Sequence, residues 1–200
     1  MEINCPACGA LLDARLKYSK LIVCAYCQMA IFLEDEAAKV AGKMSVLTNQ
    51  PSLLSLGRRF SYRQLNFVPI GRIRYAYPNG IWEEWWVLGD DGIPYWVSVD
   101  EGDVAIETKI EVKSKLPPFT EIFLGQEINI NGEPARVTEK NTCKCDGAQG
   151  ELPFHIKPDE SRNYADLTGQ GSDHYTLEDS SDGIECFKGK WVDPFEVKAA

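Results

Sequence analysis

The sequence predicts a mainly β protein: an N-terminal four-cysteine zinc ribbon, then a two-part β barrel or sandwich domain built from repeated meanders. Three observations carry that expectation. Two Cys-x-x-Cys pairs stand within residues 1–33, a doubled spacing that suits one tetrahedral metal. From Leu53 to Val112, short β-prone stretches are separated by Gly, Asn or Asp, as in small all-β domains. Four of the five tryptophans fall within Ile81–Val97. There Trp82, Glu84, Trp86 and Leu88 alternate with Glu83, Trp85 and Val87, and Asp90-Asp91-Gly92 turns the chain into Tyr95-Trp96-Val97. Aromatics paired across a hairpin bury much apolar area, so this hairpin is the expected centre of the core.

The ribbon comes first in the chain, over 1–33. Cys5-Pro-Ala-Cys8 and Cys24-Ala-Tyr-Cys27 are separated by fifteen residues. Each turn aims two sulfurs at one point, and its backbone amides can donate to the thiolates. Leu11–Val23 has the length of a short hairpin joining the turns, and Gly9 suits the tight backbone after Cys8. A redox Cys-x-x-Cys and a pair of disulfides are the competing readings. Two matched pairs in a chain read as cytoplasmic favour metal over both. The expected ligands are Cys5, Cys8, Cys24 and Cys27, and the expected cofactor is zinc. Four thiolates leave no open position for water, so the zinc is structural and supplies most of the folding free energy of so small a segment.

Residues 34–52 lose the strand pattern and read as a connector, with a helical turn or two over Glu34–Val40. The β domain follows over 53–200. Its first half, 53–115, has strand candidates at Arg59–Tyr62, Phe67–Tyr77, Ile81–Leu88, Ile93–Val99 and Val104–Val112, and Lys115-Leu-Pro-Pro118 breaks the run. The second half, 119–197, resembles a repeat of the first. Leu56-Gly57-x-x-Phe60-x-Tyr62 recurs as Leu124-Gly125-x-x-Ile128-x-Ile130, and Trp85–Leu88 before a turn recurs as His174–Leu177. Cys143–Asn163 reads as an insertion within the repeat.

Charge narrows the class of partner. The net charge is −9, and residues 116–200 hold 16 acidic against 8 basic side chains. Between Glu36 and Glu83 the only charged residues are seven basic ones: Lys39, Lys43, Arg58, Arg59, Arg63, Arg72 and Arg74. That island is the one feature in favour of nucleic acid, and the acidic total weighs against it. The start of the chain lacks the basic-then-apolar pattern of a signal peptide, and no apolar run is long enough to span a bilayer. The expected compartment is the cytoplasm.

Leu56-Gly57, Ile70-Gly71-Arg72-Ile73-Arg74-Tyr75, Trp82-x-Glu84-Trp85, Asp91-Gly92, Gly150-Glu151-Leu152-Pro153, Tyr164-Ala165-Asp166-Leu167 and Gly189 occur in this order over most of 53–196. As a set they resemble a bacterial family of uncharacterised β-rich domains, headed by a zinc ribbon and often found beside membrane-stress and polyamine-related genes. The resemblance implies an accessory or scaffold role. It carries over only the zinc cysteines, Cys5, Cys8, Cys24 and Cys27, and no catalytic residue. Cys143-Lys-Cys145 departs from the family pattern.

No other group of residues competes as a reactive site. Cys143 and Cys145 would share a strand face, and with Cys186 or His155 would make a second metal site only if the fold converged them. His174 has no triad spacing, and neither a Gly-x-Ser-x-Gly nor a phosphate loop is present. Asp-Gly clusters are explained by turn chemistry. Of Glu83 and Glu84, one must share a face with tryptophan and needs a basic partner, Arg72 or Arg74. The expected function is therefore a non-catalytic, zinc-stabilised adaptor whose partner is another protein, including a membrane-associated one. A nucleic-acid-binding zinc-ribbon protein is the alternative.

Overall fold

The computed structural model describes residues 2–14, 19–34, 37–47, 51–78, 80–180 and 183–200. The N-terminal strands are β1 (Glu2–Asn4), β2 (Leu11–Asp13), β3 (Leu21–Val23), β4 (Met29–Glu34) and β5 (Ala37–Lys43). Then come β6 (Phe60–Tyr62), β7 (Leu65–Tyr77), β8 (Gly80–Gly89), β9 (Pro94–Asp100) and β10 (Asp103–Ile110). A second run holds β11 (Glu127–Ile130), β12 (Glu133–Leu152), β13 (Ser161–Thr168), β14 (Asp173–Ser180) and β15 (Gly183–Val192), with β16 (Lys198–Ala199) at the end. Only two single 3-10 turns, Phe119–Glu121 and Pro194–Glu196, interrupt the strands among the described residues.

Eight of these strands close on themselves. The order is β7-β8-β9-β10-β15-β14-β13-β12, and β12 pairs back onto β7. Every pairing round the ring is antiparallel. A closed barrel removes the open edges that a sandwich would leave, which decides between the two expected architectures. The five strand candidates of the first half coincide with β6 to β10 to within two residues at almost every boundary.

The ring has two seams where the first run meets the second. At one, Cys145–Gly150 of β12 pairs with Tyr75–Gly71 of β7; at the other, Val104–Ile110 of β10 pairs with Val192–Cys186 of β15. Glycines sit at both. A Cβ on Gly71 would lie 1.7 Å from the Glu151 carbonyl oxygen, and one on Gly189 would lie 2.0 Å from that of Ile106. Only a residue without a Cβ lets the backbones approach so closely.

The outer face of each run is also covered, that of the first partly by the end of the chain, whose β16 pairs with β6. Leu54, Phe60 and Val197 cover Trp85, Val87, Val97 and Ile106, while Phe119, Ile122, Ile128 and Ile130 cover Val137, Leu167, Tyr175 and Leu177. Trp85 and Trp86, on opposite faces of β8, are both 2% exposed. The sequence pattern implied one inward and one outward tryptophan; both are buried, because Trp85 lies under that outer layer.

Three local expectations change. Leu11–Val23 is not one hairpin: β2 pairs with β1 and β3 with β4, with 15–18 outside the described residues. Where a helical turn was expected over Glu34–Val40, Glu34 and Ala37–Val40 are strand, since Ala37–Lys43 pairs with β4, and 35–36 lie outside the described residues. The ribbon is also not separate from the barrel. β3 pairs with the end of β12, and Leu21, Val23, Ala30 and Met44 share a core with Ile73, Trp82, Trp86 and Leu152. The 20-residue β12 spans both parts.

Candidate metal centre and barrel interior

The four ribbon cysteines converge. Their sulfurs all lie within 4.8 Å of one another, with Cys5–Cys27 at 3.7 Å and Cys8–Cys24 at 3.8 Å. Metal–sulfur bonds of about 2.3 Å at tetrahedral angles place sulfurs about 3.8 Å apart, so two opposite edges of the cluster already have the length such a site needs. Among the described residues this is the one cluster of three or more His, Cys, Asp or Glu side chains that converges to metal-ligand distance.

The local sequence explains the convergence. Each pair lies in the turn of a hairpin, and the two turns share one hydrogen-bond pattern. Gly9 N–H donates to the Cys5 carbonyl at 2.8 Å, and Gln28 N–H donates to that of Cys24 at 2.9 Å. Gly9 and Gln28 hold matching left-handed conformations, φ 76° and 61°. Burial works against the Cys24 thiolate, but the Cys27 and Tyr26 amides and the neighbouring thiols bring it down to about 7. Cys5 and Cys24 are buried, while Cys8 is exposed.

The remaining cysteines do not join them. Cys143 and Cys145 both point into the core beside Tyr75, and Cys186 lies in the outer layer of the second run. Burial pushes all three thiols up to about 12, so they are protonated packing groups. His155 stacks on Phe32 with ring centroids 4.1 Å apart, where ribbon meets barrel.

The paired glutamates separate cleanly. Glu83 faces outward and is held by Arg72, by Arg74 at 3.0 Å and by Ser52 at 2.6 Å. Burial works against its charge, yet these donors keep it below the usual carboxylate range. It is the structural ion pair that the sequence calls for. Glu84 faces inward and accepts from Trp82 Nε1 at 3.0 Å. Burial, then the nearby Glu178, push it up to about 8.

Glu84 belongs to a polar interior that the sequence reading missed. Trp82 meets Tyr164 at 5.0 Å across the two intervening strands, which fixes the inward faces of β8 and β13. The same register turns Glu107, Asp166, His174, Thr176 and Glu178 inward. Thr176 Oγ1 lies 3.1 Å from Glu107 Oε1, 3.1 Å from Asp166 Oδ1 and 3.2 Å from His174 Nε2. A hydroxyl donates one proton, so the other two contacts need protons from the partners. His174 Nε2 is also 3.2 Å from Glu107 Oε1. Burial, then Glu139, raise Asp166 to about 7; burial, then Glu84, raise Glu107 well above the carboxylate range. Burial lowers His174 to about 4, so its ring is neutral.

The signal was present in the chain. His174-Tyr175-Thr176-Leu177-Glu178 alternates polar and apolar residues. Alternation defines two faces without saying which is inside, and here the apolar face is the outward one, covered by β11 and its neighbours.

A model of a domain of unknown function, DUF4178, matches residues 55–194, which takes in the whole closed barrel and leaves out the cysteine ribbon. No curated protein and no solved structure matches the chain. The resemblance traced from Leu56-Gly57 to Gly189 lies inside the matched span, and with well over half of its length covered the chain belongs to the DUF4178 family.

Proposed function

We propose that this protein is a non-catalytic interaction module, an adaptor whose ribbon is held by a structural zinc ion and whose partner is another protein. The observation that carries the reading is a cleft of about 310 Å³ where ribbon and barrel meet, lined by Leu12, Ile22, Tyr26, Leu56, Pro69 and Ile70. At its margin Tyr26 is 79% exposed and Leu11 56% exposed, and exposed aromatic and aliphatic side chains beside a cleft are typical anchors of protein interfaces. The thiol spacing supports zinc, since closed four-thiolate sites with these edges suit its tetrahedral preference.

The nucleic-acid reading has less support. Arg72 and Arg74 are buried on Glu83, Arg59 is paired with Asp90, and Arg63 with Glu196 at 3.0 Å. Burial on Glu83 takes Arg72 and Arg74 out of the island, and Arg59 and Arg63 are each matched by a surface carboxylate. A cytoplasmic setting, which keeps thiols reduced, is part of the same proposal.

Two measurements test it. Elemental analysis of the purified, reduced protein should find one zinc per chain. Affinity capture with the intact protein, compared with a Leu11→Ser, Tyr26→Ser variant of unchanged melting temperature, should show a protein partner held by the first and released by the second. A partner set that is identical for both would refute the cleft as the docking site.

A further inference from the structure

The covers of the two runs do not meet over the β10–β15 seam. At one end of that seam Val104 stands opposite Val192 beneath the first cover, and at the other Ile110 stands opposite Cys186 beneath the second. Between those pairs, on the same outward face, Ile106 at the margin of the first cover stands opposite Lys190, and Thr108 opposite Lys188. A groove of about 450 Å³ runs over this strip, walled by Tyr62, Gln64, Leu65 and Tyr95. That volume is in the range of small-molecule sites. The side chains of Arg63 and Lys190 at its rim are 69% and 67% exposed, so the groove opens to solvent.

Floor and rim differ in chemistry. Ile106 and Val192, both buried, form an apolar floor with Leu65, whereas Arg63, Lys188 and Lys190 line the rim. Among the described residues no carboxylate lines the groove, in a chain whose net charge is −9. The acidic partners of the three cations, Glu196, Glu133 and Asp173, stand outside it. Arg63 and Glu196 form a surface pair, and such pairs exchange for another anion at little cost. Lys190 Nζ is 3.9 Å from Asp173, beyond hydrogen-bond length, so its N–H donors remain for a ligand. Cations above an apolar floor suit an anion that carries an apolar tail. Because the floor is recessed below the charged rim, a single tail reaches it and the flat surface of a bilayer does not.

We propose that this groove binds a soluble carboxylate with an aliphatic tail. Lys190 donates to the head, Arg63 and Lys188 add positive charge beside it, and the tail lies on Ile106, Val192 and Leu65. No residue of the groove belongs to the cleft between ribbon and barrel, so the site stands apart from the protein-docking surface.

The test titrates octanoate into the intact, metal-loaded protein by calorimetry and thermal unfolding. Acetate supplies the same head without the tail, and octyltrimethylammonium the same tail with the opposite charge. Octanoate should bind and raise the melting temperature, and neither control should do so. Affinity should rise by up to about fourfold for each methylene between butyrate and octanoate, as burial of the tail requires. Lys190→Glu should weaken octanoate binding at least about tenfold, the cost of a lost charged hydrogen bond. Thr108→Trp, which fills the groove, should abolish binding. Exposed Lys113→Glu makes the same change of net charge elsewhere and should bind as wild type does. Absence of octanoate binding, an equal response to octyltrimethylammonium, or wild-type affinity in Lys190→Glu would overturn the proposal. Sedimentation with phosphatidylglycerol vesicles in the absence of octanoate binding would also overturn it, and would assign the rim to a membrane surface.

Discussion

Trp85 and Trp86 are neighbours on β8 that serve different layers, one packed under the outer cover of the first run and one inside the ring. Trp85→Ala and Trp86→Ala should each cost about 3–5 kcal/mol, as large-to-small core changes do. Urea unfolding of the two variants checks this, and a loss confined to one of them would contradict the burial of both. Gly71→Ala should cost about 3 kcal/mol by forcing its β7–β12 seam apart, read in the same experiment. Gly71 and Gly189 stood out in the sequence as part of a family pattern, but their role became legible only when the strands on either side of each seam were known. The convergence of Cys5, Cys8, Cys24 and Cys27 was legible, because metal geometry restricts ligand spacing far more tightly than packing restricts core residues. His174 was not. Its place on a polar stripe gave no sign that the stripe faces inward.

At the scale of elements, β7 to β10 were legible from alternation and turn residues, and the hairpin of β8 and β9 is paired with Trp86 opposite Trp96. The long β12 was harder to read. Its Gly147 and Gly150 fall in the stretch read as an insertion, yet both accommodate close backbone approach within a continuous strand: Gly147 to Ser45 and Gly150 to Ile70. Because β12 carries β3 on one stretch and β7 on another, damage to the ribbon reaches the barrel. Cys24→Ser should abolish stoichiometric metal binding and also remove Leu21, Val23 and Ala30 from the shared core. Burial of such side chains is worth about 1.5–3 kcal/mol each, so the melting temperature should fall by on the order of 10 °C. Scanning calorimetry of the variant, and of wild type treated with a chelator, measures the drop. An unchanged barrel transition would mean that the ribbon folds apart from it.

For the whole molecule, the acidic interior sets the response to pH. Glu84, at about 8, and Asp166, at about 7, hold protons more tightly when folded than when unfolded. Their contribution to stability is complete below the unfolded carboxylate range of about 4 and is lost as pH rises through 7 to 8. His174, lowered to about 4, has the opposite sign: its contribution is present above about 6.5 and is lost as pH falls through 4. Glu83, held below the usual range by its arginines, likewise loses its share in acid. The carboxyls with raised values outnumber these two, so the maximum should lie in mild acid. Thermal unfolding from pH 4 to 9 should give a higher melting temperature at pH 5.5 than at pH 8; the reverse order would show that the interior carboxyls are ionised and compensated. The barrel was foreseeable as one of two closures of the same strand set, whereas its polar lining depends on both outer faces being covered.

The two seams also determine what the chain does not need. β7 meets β12 and β10 meets β15 through antiparallel ladders, so first and second runs grip each other along both sides of the ring. No ladder of the ring runs through the stretch Glu111–Pro118 between them, which lies on the second run through Val112, Leu116 and hydrogen bonds to Asn131 and so stays with that run when the chain is cut. Hydrolysing one peptide bond there, between Lys113 and Lys115, should leave two fragments that travel as one species on gel filtration and separate only in denaturant. In assembly terms, the barrel is a heterodimer that happens to be written on one chain.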